Sequence, residues 1–469
     1  METDRLQDIE AYTAEIKDRL VRDIARLVAV PSVEEPSRRS EAQPFGPGPD
    51  RALEEILAIA RELGLETKNC EHYLGYAQVG GDGGRYLAAV THVDVVPAEE
   101  GWKADPFVLR EQEGYLLGRG VMDDKGPAVL TLYALKYLQD RGIPLRYPVR
   151  ALFGANEETG MKDVEYYLAH YPAPLFAFSP DADFPLINGE KGVYHAVLRS
   201  RHLQQGNVIA IRGGTAANVI PAKADAVLRV PPEKAALMTS TEWVTAEQTA
   251  EDIWQLKAVG IGGHASVPEG TVNAIGKLIE YILERELGSR KETAYFRFLQ
   301  KIHQASDGSA AGIAADDGRF DPLTAEACRI WQEEDTICQT IDIRYPTNTD
   351  ADTLTAQLLT AGAGAVLVKD VEAQKPFWRD PASPELTACM EAYREITGER
   401  TAQAFSIGGG TYAKDFPNAV AFGPEHPERK KPSFVGYIHG GEEGASLEEL
   451  LEALKIYIAA LLRLEQLDF

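Results

Sequence analysis

His92 and Asp94 stand at the end of a short apolar run and have the side chains of a metal site. A neutral imidazole is a good zinc ligand, and it binds best when its second nitrogen donates to a carboxylate. Asp94 lies two residues further along an extended chain, on the same side, so it could accept that hydrogen bond. The alternative is that the pair has only a structural role at the end of a strand.

Two further carboxylates, Asp123 and Asp124, come directly before a predicted helix. Aspartate is a good helix N-cap, so one interpretation is that either residue merely caps this helix. The other interpretation is that one carboxylate lies beside His92 at the carboxyl edge of a sheet and binds a cation there. In open α/β sheets ligands bind in the crevice at that edge.

Glu157 and Glu158 follow another predicted buried strand. Adjacent carboxylates near a low-dielectric sheet repel each other unless a cation or a proton intervenes. A metal ion bound by one of them would leave the other free as a base. Asp181 follows the next strand, and His439 precedes the last predicted helix.

Together these clusters combine two histidines with several carboxylates and contain no cysteine. Such a donor set suits a dinuclear zinc hydrolase, with cobalt or manganese as substitutes. The four cysteines lie far apart without a C-x-x-C pair, so we expect them to be small buried residues in a reduced cytosolic protein. They are Cys70, Cys328, Cys338 and Cys389.

Strands alternate with helices in the first part of the chain, which predicts an α/β fold with a mixed, mostly parallel sheet flanked by helices. The predicted helices are 4–30, 49–63, 126–140 and 161–170, and the predicted strands are 86–96, 147–156 and 174–183.

After about residue 191 the pattern changes to strands with few helices, near 271–288 and 351–361, which predicts an inserted α+β domain. Helix–strand alternation then returns and ends in a helix near 446–464. The predicted divisions are a catalytic domain in two parts, 1–190 and 377–469, around an inserted domain at 191–376.

The chain of 469 residues is strongly acidic, with 48 Lys and Arg against 72 Asp and Glu and a formal net charge of −24. This balance argues against nucleic acid or an anionic membrane surface as a partner, because binding to phosphate uses clustered Lys and Arg. The N-terminal segment is charged and lacks an apolar signal core, so we expect a cytoplasmic protein.

Several motifs resemble metallopeptidase family 20, the aminoacylase and carboxypeptidase G type, and within it the PepV-type bacterial dipeptidases, also described as Xaa-His dipeptidase or carnosinase-like. SPDADFPLINGEKG and SIGGGTYAK are specific to that branch. The resemblance is carried by PFGPGPDRAL (44–53), HVDVVPAEEGWKADPF (92–107), GRGVMDDKGP (118–127), EETGMKDVEYY (157–167), SPDADFPLINGEKG (179–192), GGTAANVIPAKA (213–224), GGHASVPEG (262–270), RYP (344–346) and SIGGGTYAK (406–414).

The resemblance implies two zinc ions per subunit. His92, Asp123 and Asp181 would hold one ion. Glu158, His439 and Asp123, acting as a bridge, would hold the other. Glu157 would remain free of metal as the general base, and Asp94 would orient His92. Family members often have a cis peptide after the bridging aspartate, here between Asp123 and Asp124.

The resemblance also implies that the inserted domain is a lid that contacts a small peptide substrate. His264 would stabilise the oxyanion, and Asn218 and Arg344 would bind the terminal carboxylate with backbone N–H groups of Gly408, Gly409 and Gly410. From the residues alone, an exposed turn is the better explanation of His264, a surface charge is the usual explanation of Arg344, and a tight turn is the usual explanation of the glycines.

Some features depart from the family pattern, including Thr91 before the histidine and Val121-Met122 before the bridging aspartate. They affect the expected substrate preference and leave the reaction class unchanged. The implied activity is hydrolysis of unblocked dipeptides, and the alternatives are an N-acyl amino acid deacylase of the same fold or a non-catalytic peptide-binding protein. We expect a monomer, with a homodimer as the alternative.

Overall fold

The computed structural model divides the chain into two compact units. Unit 1 consists of Met1–Asn188, Arg379–Phe405 and Gly410–Phe469, and unit 2 of Gly189–Trp378 and Ser406–Gly409. The side chains of Thr3 and His264 are not described. The residues that the structure describes are 3–81, 83–98, 100–204, 206–265 and 268–469.

The elements follow one another along the chain in three stretches. The first contains α1 (Thr3–Val28), α2 (Pro47–Glu62), β1 (Glu66–Cys70), β2 (Leu74–Val79), β3 (Leu87–His92), β4 (Arg110–Gln112), β5 (Tyr115–Leu117), α3 (Lys125–Asp140), β6 (Val149–Gly154), α4 (Lys162–His170), β7 (Phe176–Ser179), β8 (Ala182–Asp183) and β9 (Ile187–Glu190). The second contains β10 (Gly192–Ser200), β11 (Val208–Gly213), β12 (Val219–Ile220), β13 (Lys223–Arg229), β14 (Val244–Ala250), β15 (Ile253–Val259), β16 (Gly263–His264), α5 (Ala274–Glu284), α6 (Arg290–Gln304), β17 (Thr324–Glu333), β18 (Thr336–Tyr345), α7 (Ala351–Ala361), β19 (Val366–Gln374) and β20 (Phe377–Trp378). The third contains α8 (Pro384–Thr397), β21 (Phe405–Ile407), β22 (Ala419–Ala421), β23 (Pro424–Glu425), β24 (Gly444–Ser446) and α9 (Leu447–Leu464).

The sheet of unit 1 has the strand order β1-β2-β6-β3-β7-β22. Its central strands β6, β3, β7 and β22 are parallel, whereas β1 and β2 are antiparallel additions at one side. The carboxyl ends of parallel strands meet at one edge, so the loops after β3, β6 and β7 converge there. The predicted α/β fold is confirmed; β1 and β2 were not predicted from the sequence.

The helices of unit 1 bury one apolar side each against this sheet and against one another. In α1 the residues Ile9, Ile16, Leu20 and Ile24 recur at helical spacing and are all buried, as their periodicity predicts. α3 is buried along most of its length. Ser446 precedes α9 as its N-cap, and its hydroxyl accepts the N–H of Glu449.

Unit 2 has its own apolar core and an antiparallel sheet with the order β14-β15-β13-β11-β17-β18-β10-β19. α5 packs against β13 and β15, and α6 packs against β17. The sequence did not predict α6, although Ser289 and Glu292 form a complete capping box at its start.

The four cysteines are buried and unpaired, as predicted. Among the described helices, none combines the length and the apolar character needed to cross a lipid bilayer.

Candidate metal centre

His92 is the last residue of β3, and its side chain is fully buried. Its Nδ1 lies 3.0 Å from the backbone oxygen of Asp94 and 3.4 Å from Asp94 Oδ1. A hydrogen bond from Nδ1 to that carbonyl fixes the ring and leaves the lone pair on Nε2. The predicted orientation of His92 by Asp94 therefore acts mainly through the main chain.

The first group of candidate ligands surrounds Nε2 of His92. This atom lies 3.0 Å from Asp123 Oδ1 and 3.7 Å from Asp181 Oδ2, yet it has no hydrogen-bond partner among the described residues. One ligand atom from each of the three side chains lies within 4.8 Å of the others. A buried nitrogen without a hydrogen bond, facing two carboxylates, fits a cation between them.

The second group shares Asp123 with the first. Asp123 Oδ2 lies 2.9 Å from His439 Nε2, which is also 3.2 Å from Glu158 Oε2. The side chains of Asp123 and Glu158 are buried, whereas that of His439 is 54% exposed. The two oxygens of Asp123 thus face different histidines, which is the arrangement of a bridging carboxylate.

The acidic and imidazole groups of this cluster have shifted pKa values. Burial, aided by the nearby charges of Asp123 and Glu158 and opposed by His92, raises the pKa of Asp181 to about 6. The pKa of Glu158 is also raised, first by burial and then by the charge of Asp123. Hydrogen bonds to Asp123 and Glu158 raise the pKa of His439 to about 10. Nitrogen and carboxylate donors that compete for protons in this way fit two divalent cations.

Asp124, the residue before α3, does not cap this helix with its side chain. Asp124 occupies the N-cap position of α3, but its side chain makes no capping hydrogen bond. Instead Asp124 Oδ2 accepts the backbone N–H of His92 at 3.1 Å. The peptide bond between Asp123 and Asp124 is cis, as the resemblance implied.

Comparisons with known proteins extend over nearly the whole chain. Residues 88–463 match the model of Peptidase family M20/M25/M40. The chain belongs to peptidase family M20/M25/M40. It is therefore a peptide hydrolase of a metal-dependent family.

Two relatives and one solved structure illustrate the similarity. The chain is 29% identical over 461 residues to the Beta-Ala-Xaa dipeptidase of Lactobacillus delbrueckii subsp. lactis, covering 96% of both chains. It is 30% identical over 464 residues to YtjP of Bacillus subtilis (strain 168), covering 96% of this chain and 97% of that protein. The di-peptidase Dug1p from Saccharomyces cerevisiae has a similar fold, with a TM-score of 0.57, 14% identity and 99% of each chain covered.

Glu157 lies outside both ligand groups of this M20 peptidase. Its N–H donates to Asp94 Oδ1, and the N–H of Glu158 donates to Asp94 Oδ2, each at 3.1 Å. Its carboxyl group is partly buried, and its pKa is raised well above the usual value, first by burial and then by the charge of Asp181. A carboxylate with a raised affinity for protons beside a metal site is suited to accept one from water.

A further support for the turn carrying Glu157 was not predicted from the sequence. Asp163 Oδ2 accepts the N–H groups of Ala155 and Asn156 at 2.7 and 2.9 Å, and it also accepts the hydroxyl of Tyr412. Asp163 and Tyr412 are both buried. Their motifs, EETGMKDVEYY and SIGGGTYAK, were noted, but nothing in the sequence indicates that the two residues meet.

The predicted substrate-binding residues lie mostly in unit 2. The backbone of His264 pairs with Val219 in the β12–β16 ribbon, and the N–H of Ala265 donates to the carbonyl of Asn218. Asn218 and His264 are therefore neighbours along this ribbon; the side chain of His264 lies outside the described part of the structure.

Arg344 at the end of β18 is held by a buried carboxylate. Its Nε and Nη2 donate to the two oxygens of Asp342 at 2.7 and 2.9 Å, and its Nη1 donates to the carbonyl of Gly408 at 3.1 Å. Asp342 also lies 2.9 Å from His195 Nε2. The structure thus brings Arg344 and Gly408 together in unit 2, next to Gly409, while Gly410 belongs to unit 1.

Proposed function

We propose that this M20 peptidase is a dipeptidase with two zinc ions. His92, Asp123 and Asp181 would hold one ion, and Asp123, Glu158 and His439 would hold the other. The observation that carries the proposal is that the two oxygens of Asp123 face two different histidines, at 3.0 and 2.9 Å. The printed name of the Lactobacillus relative supports the choice of dipeptides.

The donor set supports zinc as the metal, because two imidazoles and several carboxylates without thiolates suit zinc, with cobalt or manganese as substitutes. When bound, such cations lower the pKa of a water molecule and polarise the carbonyl that it attacks. The hydrogen bond of His92 Nδ1 to Asp94 keeps the tautomer in which Nε2 can bind a cation.

Glu157 is proposed as the general base. Its carboxylate would accept a proton from the attacking water and later deliver it to the nitrogen of the leaving amine. Asp94 keeps Glu157 and Glu158 in their relative positions by accepting both backbone N–H groups. This separation leaves one glutamate to bind metal and the other to move the proton.

Unit 2 is proposed as a lid that binds the ends of the peptide. Among the described residues, Arg344 uses three of its five N–H donors on Asp342 and Gly408, and the other two could bind a substrate carboxylate. Asn218 and the backbone N–H groups of Gly408, Gly409 and Gly410 would complete that site, and His264 would stabilise the oxyanion. Binding of the terminal carboxylate at a fixed distance from the cleaved bond would exclude longer peptides.

The proposal extends to assembly and location. An active monomer is proposed, with a homodimer as the alternative, because the inserted segment 191–376 is long enough to supply the whole lid from one chain. The buried, unpaired cysteines support a reducing compartment, the cytoplasm.

The test is an assay of unblocked di-, tri- and tetrapeptides and of N-acetyl amino acids, with and without a metal chelator. The expected result is cleavage of dipeptides alone, lost with the chelator and restored by zinc. Equal rates along the peptide series would contradict the dipeptidase proposal. Cleavage of the acetylated substrates in preference to dipeptides would assign the deacylase activity instead.

A further inference from the structure

Glu443 is a fully buried carboxylate four residues after His439. Its Oε1 accepts the backbone N–H groups of Gly120, Met122 and Asp123 at 3.0, 3.1 and 3.3 Å. These N–H groups belong to the loop between β5 and α3, which carries the proposed bridging ligand. Glu443 belongs to neither group of candidate metal ligands.

Arg119 is the partner of Glu443 and is equally buried, with 1% of its side chain exposed. Its Nη1 donates to Glu443 Oε2 at 2.6 Å, and its Nη2 donates to the carbonyls of Gly440 and Pro97 at 3.2 and 3.4 Å. The ion pair therefore joins three loops. They are the loop after β3, the loop before α3 and the loop that carries His439.

The loop of His439 is partly exposed, and another anchor of it is Glu442, which accepts from the N–H of Lys103 and from Arg110. Tyr437 and Ile438 are exposed by 75% and 44%. His439 and Glu442 adopt positive φ angles of 63° and 57°, which residues other than glycine adopt only when tertiary contacts hold them. His92, in contrast, is fixed by its place at the end of a central strand.

A buried ion pair is a weak source of stability compared with apolar side chains of the same size, because both charges lose their hydration. Its best attested use is to specify one arrangement of the parts that it joins. In this pair the carboxylate oxygens of Glu443 are occupied by backbone N–H groups and by the guanidinium of Arg119. The arrangement it specifies includes the 2.9 Å approach of Asp123 to His439.

We propose that Glu443 and Arg119 are positioning residues for the second metal group, holding Asp123 and His439 at the separation that lets one cation contact both. The proposal rests on the two-metal site of the proposed function, and it is independent of which peptide is cleaved. Asp123 would contact both ions and His439 only the second, so removal of the ion pair is expected to weaken binding of the second ion more than binding of the first.

The experiment is a titration of the metal-free full chain with Co²⁺, followed by its visible absorption and by metal content after gel filtration. The wild type is expected to bind two Co²⁺ ions. Glu443→Gln is expected to keep the first and to bind the second about 10–100-fold more weakly, the usual effect of losing a partner behind the ligands. Folded Glu443→Gln protein that binds both ions like the wild type would overturn the proposal, as would equal weakening of both.

Two further variants separate positioning from folding. Glu292→Gln is the matched control, because this buried carboxylate of unit 2 also accepts two backbone N–H groups, those of Asn207 and Val208, and belongs to neither metal group. It is expected to bind both Co²⁺ ions normally. The double variant Arg119→Met with Glu443→Gln leaves no unpaired charge, so it is expected to fold when Glu443→Gln alone does not.

In the double variant the second ion is again expected to bind weakly, and wild-type binding of both ions would overturn the proposal. A wild-type protein that binds two Co²⁺ ions but cleaves no dipeptide would refute the proposed function and leave the positioning role intact.

Discussion

Asp94 controls the position of Glu157 through the main chain, because its Oδ1 accepts the Glu157 N–H at 3.1 Å. Its other oxygen accepts the N–H of Glu158, and its backbone carbonyl accepts Nδ1 of His92. Asp94 thus orients Glu157, the proposed base. It also orients His92 and Glu158, which are one proposed ligand of each metal ion.

Asp94→Asn is expected to disturb this arrangement, because the amide NH2 would face one of the two backbone N–H groups. We expect kcat and metal affinity to fall by about 10–100-fold. Steady-state kinetics on a dipeptide and metal analysis of the purified protein would measure both. Asp307→Asn is the control, since Asp307 makes a similar contact to the N–H of Ser309 at an exposed site in unit 2; unchanged kinetics in Asp94→Asn would contradict the role.

Glu157→Gln is expected to lower kcat by ~10²–10⁴-fold, because the amide cannot accept the proton of the attacking water. Both metal ions are expected to remain, since Glu157 lies outside the two ligand groups. Kinetics combined with metal content would separate the two effects. Near-wild-type turnover would exclude Glu157 as the base, and loss of a metal ion would make it a ligand.

Asp342→Asn is expected to weaken binding of the substrate's terminal carboxylate. Asp342 holds two donors of Arg344, and without its charge the guanidinium is free to rotate away. We expect KM for dipeptides to rise about tenfold, with metal content unchanged. An unchanged KM in folded Asp342→Asn would argue against carboxylate binding by Arg344.

His303 in α6 is expected to make unit 2 sensitive to acid. Burial lowers the pKa of His303 to about 4, and its Nδ1 has no hydrogen-bond partner in the described part of the chain. In the unfolded chain the His303 imidazole binds a proton below about pH 6.5, whereas in the folded state it binds one only below about pH 4. The free energy of unfolding should therefore fall by roughly 2–3 kcal/mol as the pH drops across this window.

His303→Met is expected to remove this loss, whereas His202→Gln, at a largely exposed histidine, should retain it. Urea unfolding between pH 7.5 and 4.5, followed by tryptophan fluorescence, would measure the free energy of unfolding at each pH. Identical pH dependence in His303→Met and the wild type would contradict the assignment. Four of the five tryptophans lie in unit 2, namely Trp243, Trp254, Trp331 and Trp378.

The sequence predicted the parts of the fold that have a local signal. The spacing of apolar residues indicated α1, α3 and α9, and the apolar runs indicated the parallel strands. β2 was missed, because its pairing with β6 is a contact between distant residues that leaves no periodic trace. α6 was missed despite its capping box, because a helix start signal is short and common.

The candidate site, like the fold, was predicted only in part. Resemblance to a family pointed to His92, Asp123 and His439 together, and the structure places the two histidines 3.0 and 2.9 Å from the two oxygens of Asp123. No role for Glu443 could be inferred from the sequence. Its importance depends on N–H groups more than 300 residues earlier, so only the folded chain reveals it.

Unit 2 lies in the chain between Asp181 and His439, so the two proposed metal positions are completed at different times during translation. The proposed ligands of the first position are all translated before unit 2. Roughly 260 more residues, on the order of 10–50 s of synthesis at about 5–20 residues per second, precede the last ligand of the second. The proposed second metal position is therefore complete only after the segment that carries His439 has been translated.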